Sequence, residues 1–81
     1  MNNELTLHIE YFDNGNVKFK GQKNSKEQEE GLWEWFYENG NIRVRTPYKN
    51  NEIDGIEEEF DEQGNITETR VWKDGELIEE N

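Results

Sequence analysis

The residues with the greatest capacity for recognition chemistry fall on two neighbouring stretches, Trp33-Glu34-Trp35-Phe36-Tyr37 and Arg43-Val44-Arg45. On a strand, alternation puts Trp33, Trp35 and Tyr37 on one side. A tight turn at Asn39-Gly40 then sets Arg43 opposite Trp35 and Arg45 opposite Trp33. Indole–guanidinium stacks of this kind contribute about 0.5–1 kcal/mol each at exposed sites. Trp, Tyr and Arg are also the residues enriched at binding hot spots. Trp33, Trp35, Tyr37, Arg43 and Arg45 are therefore the candidate partner-binding set. The competing explanation is that they pack on one another and cover the reverse side of a thin sheet.

Covalent and acid–base chemistry has far less to work with. Ser25 and His8 are the sole Ser and His, and no Gly-x-Ser-x-Gly surrounds the serine. Glu57, Glu58 and Glu59 are adjacent, but strand alternation sends neighbours to opposite faces, and a catalytic pair needs a cleft. The glycines are isolated at turns, with no Gly-Lys-Ser/Thr phosphate loop. There is no cysteine and no Asp-x-Asp-x-Asp-Gly calcium loop. The expectation is a protein that is not an enzyme, with no catalytic residue, cofactor or metal site.

The elements that must carry the aromatic set are strands. Asn14-Gly15, Asn39-Gly40, Gln63-Gly64 and Asp74-Gly75 are turn dipeptides, so Gly15, Gly40, Gly64 and Gly75 are the expected turn residues, and Asn50-Asn51 also tolerates positive φ. Between them, runs rich in β-branched and aromatic residues predict strands over 5–12, 17–22, 31–37, 42–48, 55–61, 66–73 and 76–79. The polar stretch from Ser25 to Glu30 reads as a loop.

Face patterning selects the register. A three-residue loop Asp13-Asn14-Gly15, with Gly15 left-handed, sets Tyr11 against Val17 and Ile9 against Phe19, with Glu10 facing Lys18 and His8 facing Lys20. The same loop in the second hairpin sets Phe36 against Ile42, with Leu32 and Val44 on that side. In the third, Phe60 faces Ile66, and Glu58 falls against Glu68, a like-charge pair. The predicted inner face collects Leu7, Ile9, Tyr11, Val17, Phe19, Leu32, Phe36, Ile42, Val44, Tyr48, Ile56, Phe60, Ile66 and Trp72.

The hairpins repeat. Tyr11, Phe36 and Phe60 are spaced 25 and 24 residues apart, and Gly31/Gly55 and Tyr48/Trp72 recur at 24. A fixed period in this range signals stacked supersecondary units that cannot bury their faces alone. The fold expected is all-β: tandem antiparallel β-hairpin repeats forming one elongated, twisted, single-layer meander sheet. The single domain, 1–81, divides into repeats at about 5–30, 31–54 and 55–79. At 81 residues, 30% hydrophobic and 36% charged, its core must be small.

A net charge of -11 argues against nucleic acid and anionic lipid as partners and favours a basic protein. Met1-Asn2-Asn3-Glu4 lacks a basic segment followed by an apolar run, so a cytoplasmic protein is expected.

The stretch Gly31-Leu32-Trp33-Glu34-Trp35-Phe36-Tyr37-Glu38-Asn39-Gly40-Asn41-Ile42, followed by Tyr48-Lys49-Asn50-Asn51-Glu52-Ile53-Asp54-Gly55, resembles the bacterial variant of the MORN repeat. The resemblance runs from about residue 7 to 77, with Glu57 where Trp is expected and Asn51 in place of Gly. It implies tandem hairpins in one curved sheet and a role in interaction rather than catalysis. Proteins of this look include YwqK-type antitoxins, which makes an antitoxin- or immunity-like protein binding a basic partner the concrete expectation. Two alternatives stand beside it. One is peripheral membrane or phosphoinositide binding through a stripe of Lys18, Lys20, Arg43 and Arg45. The other is a self-assembling module, homodimeric through a sheet edge such as Leu5–Ile9 or through the aromatic face.

Overall fold

The computed structural model describes residues 4–81; the leader reading of Met1-Asn2-Asn3 lies outside the described residues. Eight strands form one sheet: β1 (Thr6–Tyr11), β2 (Val17–Lys23), β3 (Glu29–Phe36), β4 (Ile42–Lys49), β5 (Glu52–Ile53), β6 (Gly55–Phe60), β7 (Ile66–Lys73) and β8 (Glu76–Glu80). All pairings are antiparallel, in the order β1-β2-β3-β4-β6-β7-β8, with the short β5 also on β4. The molecule measures 41 × 33 × 12 Å, the thickness of a single layer. The all-β meander is as expected. The loop between β2 and β3 is shorter than Ser25–Glu30, because Glu29 and Glu30 join β3.

The turns follow from their glycines and asparagines. In each of the three hairpins a residue closes a three-residue loop onto the residue four further on: Phe12 on Asn16, Tyr37 on Asn41, Asp61 on Asn65. Gly15, Gly40 and Gly64 sit at φ 93°, 97° and 96°, where a Cβ would be strained. Asn50-Asn51 and Asp74-Gly75 each have two successive positive φ values, the two-residue turns whose twist suits a hairpin.

The registers depart from the expected ones one residue beyond each loop. Tyr11 pairs with Val17, Phe36 with Ile42 and Phe60 with Ile66, as expected. Then Lys18, Arg43 and Thr67 are bulged out, so Glu10 pairs with Phe19, Trp35 with Val44 and Glu59 with Glu68. A bulge inserts an unpaired residue and increases the local twist. It also reverses the face of everything beyond it. Ile9 therefore pairs with Lys20, and His8 with Gly21. Trp33 meets Thr46 instead of Arg45. The like-charge pair is Glu59–Glu68 instead of Glu58–Glu68.

The single inner face predicted from period-two alternation is consequently split. Phe19, Trp33, Trp35, Val44, Thr46, Tyr48, Glu57, Arg70 and Trp72 share one side, the indole face. Leu7, Ile9, Leu32, Phe36, Pro47, Ile56, Phe60 and Val71 share the other, the open face.

The core is one residue deep. Trp33, 4% exposed, is the buried hydrophobic side chain among the described residues. Its ring lies on the backbone of Gly21, and its Nε1–H donates to the Gln22 carbonyl at 3.1 Å. Phe19, Trp35 and Tyr48 surround it at centroid distances of 6.3, 6.3 and 6.4 Å. Burial, together with the nearby Glu29 and Glu57 charges, raises the pKa of the Tyr48 phenol.

Candidate functional site

Where the first two hairpins lie side by side, their turns are tied together by asparagine. Asn14 and Asn16 Nδ2 both donate to the Glu38 carbonyl, at 2.9 and 2.8 Å. The next step repeats the device: Asn39 and Asn41 donate to the Glu62 carbonyl at 3.0 and 2.7 Å. Tyr37 adds a bridge from its phenol to the Phe60 carbonyl at 2.8 Å. The hairpin tips are thus fixed relative to each other without a covering layer.

Fixing the tips leaves an open groove of about 350 Å³ between the first and second hairpins. Phe12, Trp35, Phe36 and Tyr37 supply aromatic surface, and Lys18, Arg43 and Glu38 supply charge. Lys18 and Arg43 are two of the three residues bulged out beside the loops, so the irregularity that sets the register also aims two exposed cations at one place. Neither takes part in an ion pair among the described residues. Aromatic walls beside available guanidinium and ammonium groups suit a planar or apolar group that carries negative charge.

The structure brings together Trp35, Tyr37 and Arg43 from the sequence-derived set and separates the other two. Trp33 is buried beneath its neighbours and is core. Arg45 lies on the open face, where its guanidinium contacts Glu34 and Glu58 at 3.4 Å each and covers the Phe60 ring at 5.5 Å. The expected stacks of Trp35 on Arg43 and Trp33 on Arg45 do not form as cross-strand pairs, because the bulge moves both arginines out of register. The groove members missed in the sequence are Phe12, Phe36 and Glu38, while Lys18 was named there only in the basic stripe of the lipid alternative. Phe12 and Lys18 had a signal, since they stand 25 residues before Tyr37 and Arg43. The groove shows that a single-layer sheet can carry a cleft.

Among the described residues, the Ser25–His8 pair weighed in the sequence does not come together. Ser25 lies in the loop between β2 and β3, His8 lies on β1 against Gly21, and no hydrogen bond joins them. Glu57 is engaged structurally: its carboxylate accepts from Thr46 Oγ1 at 2.9 Å and from Trp72 Nε1 at 2.9 Å. It occupies the place of the tryptophan expected there, standing over Thr46 as Trp33 stands over Gly21. Arg70 lies at 3.5 Å from Glu57, 2.6 Å from Glu59, 2.8 Å from Glu68 and 3.3 Å from Glu80. The hydrogen bond to Glu59, reinforced by the surrounding charge, raises the Arg70 pKa further above its already high value. Glu68 and Glu80 share a hydrogen bond that raises the pKa of Glu68 and lowers that of Glu80. Among the described residues, no three His, Asp or Glu side chains converge to hold a metal ion.

The turn-and-bulge unit recurs in the sequence matches as well. The description "MORN repeat variant" fits residues 29–50 and again 53–74, together more than half of the 81-residue chain. The chain belongs to the MORN repeat variant family. No curated protein and no solved structure matches it. MORN repeats are generally binding modules for proteins or membranes and are typically not catalytic. The two matched repeats correspond to the second and third hairpins; the first hairpin shares the loop closure and bulge of both, and the asparagine bonds of the second. The groove lies between that first hairpin and the first matched repeat.

Proposed function

We propose that this MORN-repeat chain is a non-catalytic protein-interaction module. Its groove between the first two hairpins receives a side chain or chain end of a protein partner. The observation that supports this reading is the pairing of four aromatic side chains with Lys18 and Arg43, two cations free of ion pairs among the described residues, in a chain of net charge -11. The overall charge attracts a basic protein and speeds its approach. The groove then selects, within that protein, a locally anionic or carbonyl-rich apolar segment. An antitoxin- or immunity-type protein acting on a basic partner in the cytoplasm is the concrete form of this reading.

Lipid binding is the second reading, and the ion pairs weaken it. Of the basic stripe Lys18, Lys20, Arg43 and Arg45, Lys20 contacts Glu34 at 3.9 Å and Arg45 is held by Glu34 and Glu58. Half of the stripe is therefore neutralised.

The test is affinity capture with wild type, Trp35→Ala and Arg43→Glu, with circular dichroism to check folding. A stoichiometric partner retained by wild type and lost by both variants is the expected result. A partner that binds all three equally removes the groove from the account. Salt-sensitive co-sedimentation with anionic vesicles, lost in Arg43→Glu, transfers the groove to lipid.

A further inference from the structure

The open face carries three rows across the strands. The outer rows are apolar: Leu7, Leu32, Pro47, Ile56 and Val71 on one side, and Tyr11, Phe36, Phe60 and Ile66 on the other. Leu7, Tyr11, Leu32, Ile56 and Ile66 are 59%, 59%, 49%, 59% and 54% exposed, so nothing among the described residues covers them. Between these rows runs a ladder of alternating charge on four adjacent strands: Lys20 on β2, Glu34 on β3, Arg45 on β4 and Glu58 on β6. Successive members are in contact at 3.9, 3.4 and 3.4 Å.

This pattern is complementary to itself. Two sheets packed face to face, about 10 Å apart and with strands aligned to within about 30°, are a common arrangement. A two-fold axis lying between the sheets, parallel to the strands and passing between β3 and β4, reverses the strand order while keeping each row in place. Lys20 of one copy then faces Glu58 of the other, and Glu34 faces Arg45. Each apolar row faces its own counterpart. An isologous interface requires this property, that residue i meets j while j meets i. The sheet also has the area: its 41 × 33 Å extent exceeds the roughly 800 Å² per partner of a standard interface. We infer that the open face is a homodimer interface in which a second copy of this chain packs sheet on sheet, registered by the Lys20-Glu34-Arg45-Glu58 ladder. This differs from pairing through a sheet edge or through the indole face, and it leaves Trp35 outside the interface.

Charge swapping tests it. In Lys20→Glu alone, the introduced carboxylate faces Glu58 of the second copy at two symmetric places. In Glu58→Lys alone, the introduced ammonium faces Lys20 of the second copy, again at two places. Both native side chains are partly solvent-exposed, at 45% and 27%, and circular dichroism verifies folding. Sedimentation equilibrium from micromolar to millimolar chain is expected to give a wild-type dimer. Each single variant should dimerise at least about tenfold more weakly. An equimolar mixture of the two variants should recover the dimer, because the heterodimer restores charge pairing: two carboxylates no longer meet at one place, nor two ammonium groups at the other. The within-chain clashes persist in that mixture, so recovery reports the contact between copies alone. A wild type that is monomeric throughout overturns the inference. So does a mixture no tighter than the single variants, or a dimer indifferent to both changes. A monomer that instead binds neutral vesicles through Ile56 assigns the face to lipid and overturns it too.

Discussion

Replacing Gly21 by Ala should damage this protein more than replacing any turn glycine. A Cβ at Gly21 would stand 2.0, 2.2 and 2.5 Å from Cδ2, Cε2 and Cε3 of Trp33. Gly21 is not among the residues with positive φ, so the backbone itself accepts alanine, and the whole cost lies in the collision. Restoring ordinary contact at 3.4 Å moves the indole by about 1.4 Å. A gap of about 0.5–1 Å already forfeits a quarter to a half of a contact's dispersion energy. Removing a buried Trp outright costs about 3–5 kcal/mol, so displacing this one costs about 2–3 kcal/mol, including the strain on its bond to Gln22. Total stability for a chain of this length is only about 4–12 kcal/mol. The measurement is urea denaturation followed by tryptophan fluorescence, with near-ultraviolet dichroism on the native state. Gly15→Ala is the control: it has φ 93° and nothing within 4 Å, so it carries backbone strain of about 1–2 kcal/mol and no collision. The decisive comparison is Gly21→Ala in a Trp33→Leu background, where most of the penalty should disappear. A Gly21→Ala variant within about 0.5 kcal/mol of wild type, with unchanged near-ultraviolet dichroism, would refute the claim that Trp33 on Gly21 is the core.

Three further outcomes follow from the geometry. Glu27 holds φ 64° in the loop between β2 and β3, where a glycine stands in the other three-residue loops, so Glu27→Gly should stabilise by about 0.5–1 kcal/mol in thermal or urea melts. The Asp61 carboxylate accepts from the Asn65 and Gln63 backbone N–H groups at 3.0 Å, and these bonds, that of Asn65 foremost, hold its pKa below the usual 3.8. Its contribution is therefore present above that value and lost as pH falls through the depressed one; the stability gap between wild type and Asp61→Ala should be wide at neutral pH and close in acid, and a gap independent of pH would contradict this. Arg70→Met leaves Glu57, Glu59, Glu68 and Glu80 without their common cation, so denaturation midpoints should fall at low salt and recover in part as added salt screens the like charges.

The architecture was legible because turns and period are local. Gly15, Gly40 and Gly64 adopt the left-handed loops that their dipeptides announced, and the first cross-strand pair after each loop is the expected one. The register beyond that pair was not legible, because a bulge has no side-chain signature. Lys18, Arg43 and Thr67 have nothing in common except their place two residues after an asparagine. Val17-Lys18-Phe19 reads as strict alternation, yet the bulge sends Val17 and Phe19 to opposite faces. That one-residue error turned Trp33 from a core residue into an apparent surface ligand and moved Arg45 to the wrong side. Trp35, Tyr37 and Arg43 survive as a group because they lie beside the loop, where the error has not yet accumulated.

The two faces distribute the work differently along the repeats. On the indole face the first two hairpins rest on an aromatic ring, Trp33, over a glycine that has no side chain to obstruct it. One repeat later, Thr46 and Glu57 replace that pair, and the space is filled by hydrogen bonds and by Arg70 among four carboxylates. A half-buried carboxylate with satisfied partners, such as Glu57, fixes geometry more than it adds stability. The first half of the sheet therefore carries most of the apolar stabilisation, and the groove lies in that half, where asparagine bonds tie the first two hairpin tips together. The proposed binding through Trp35 and Arg43 then needs little ordering of the protein beforehand, which is the condition under which a small, open groove retains useful affinity.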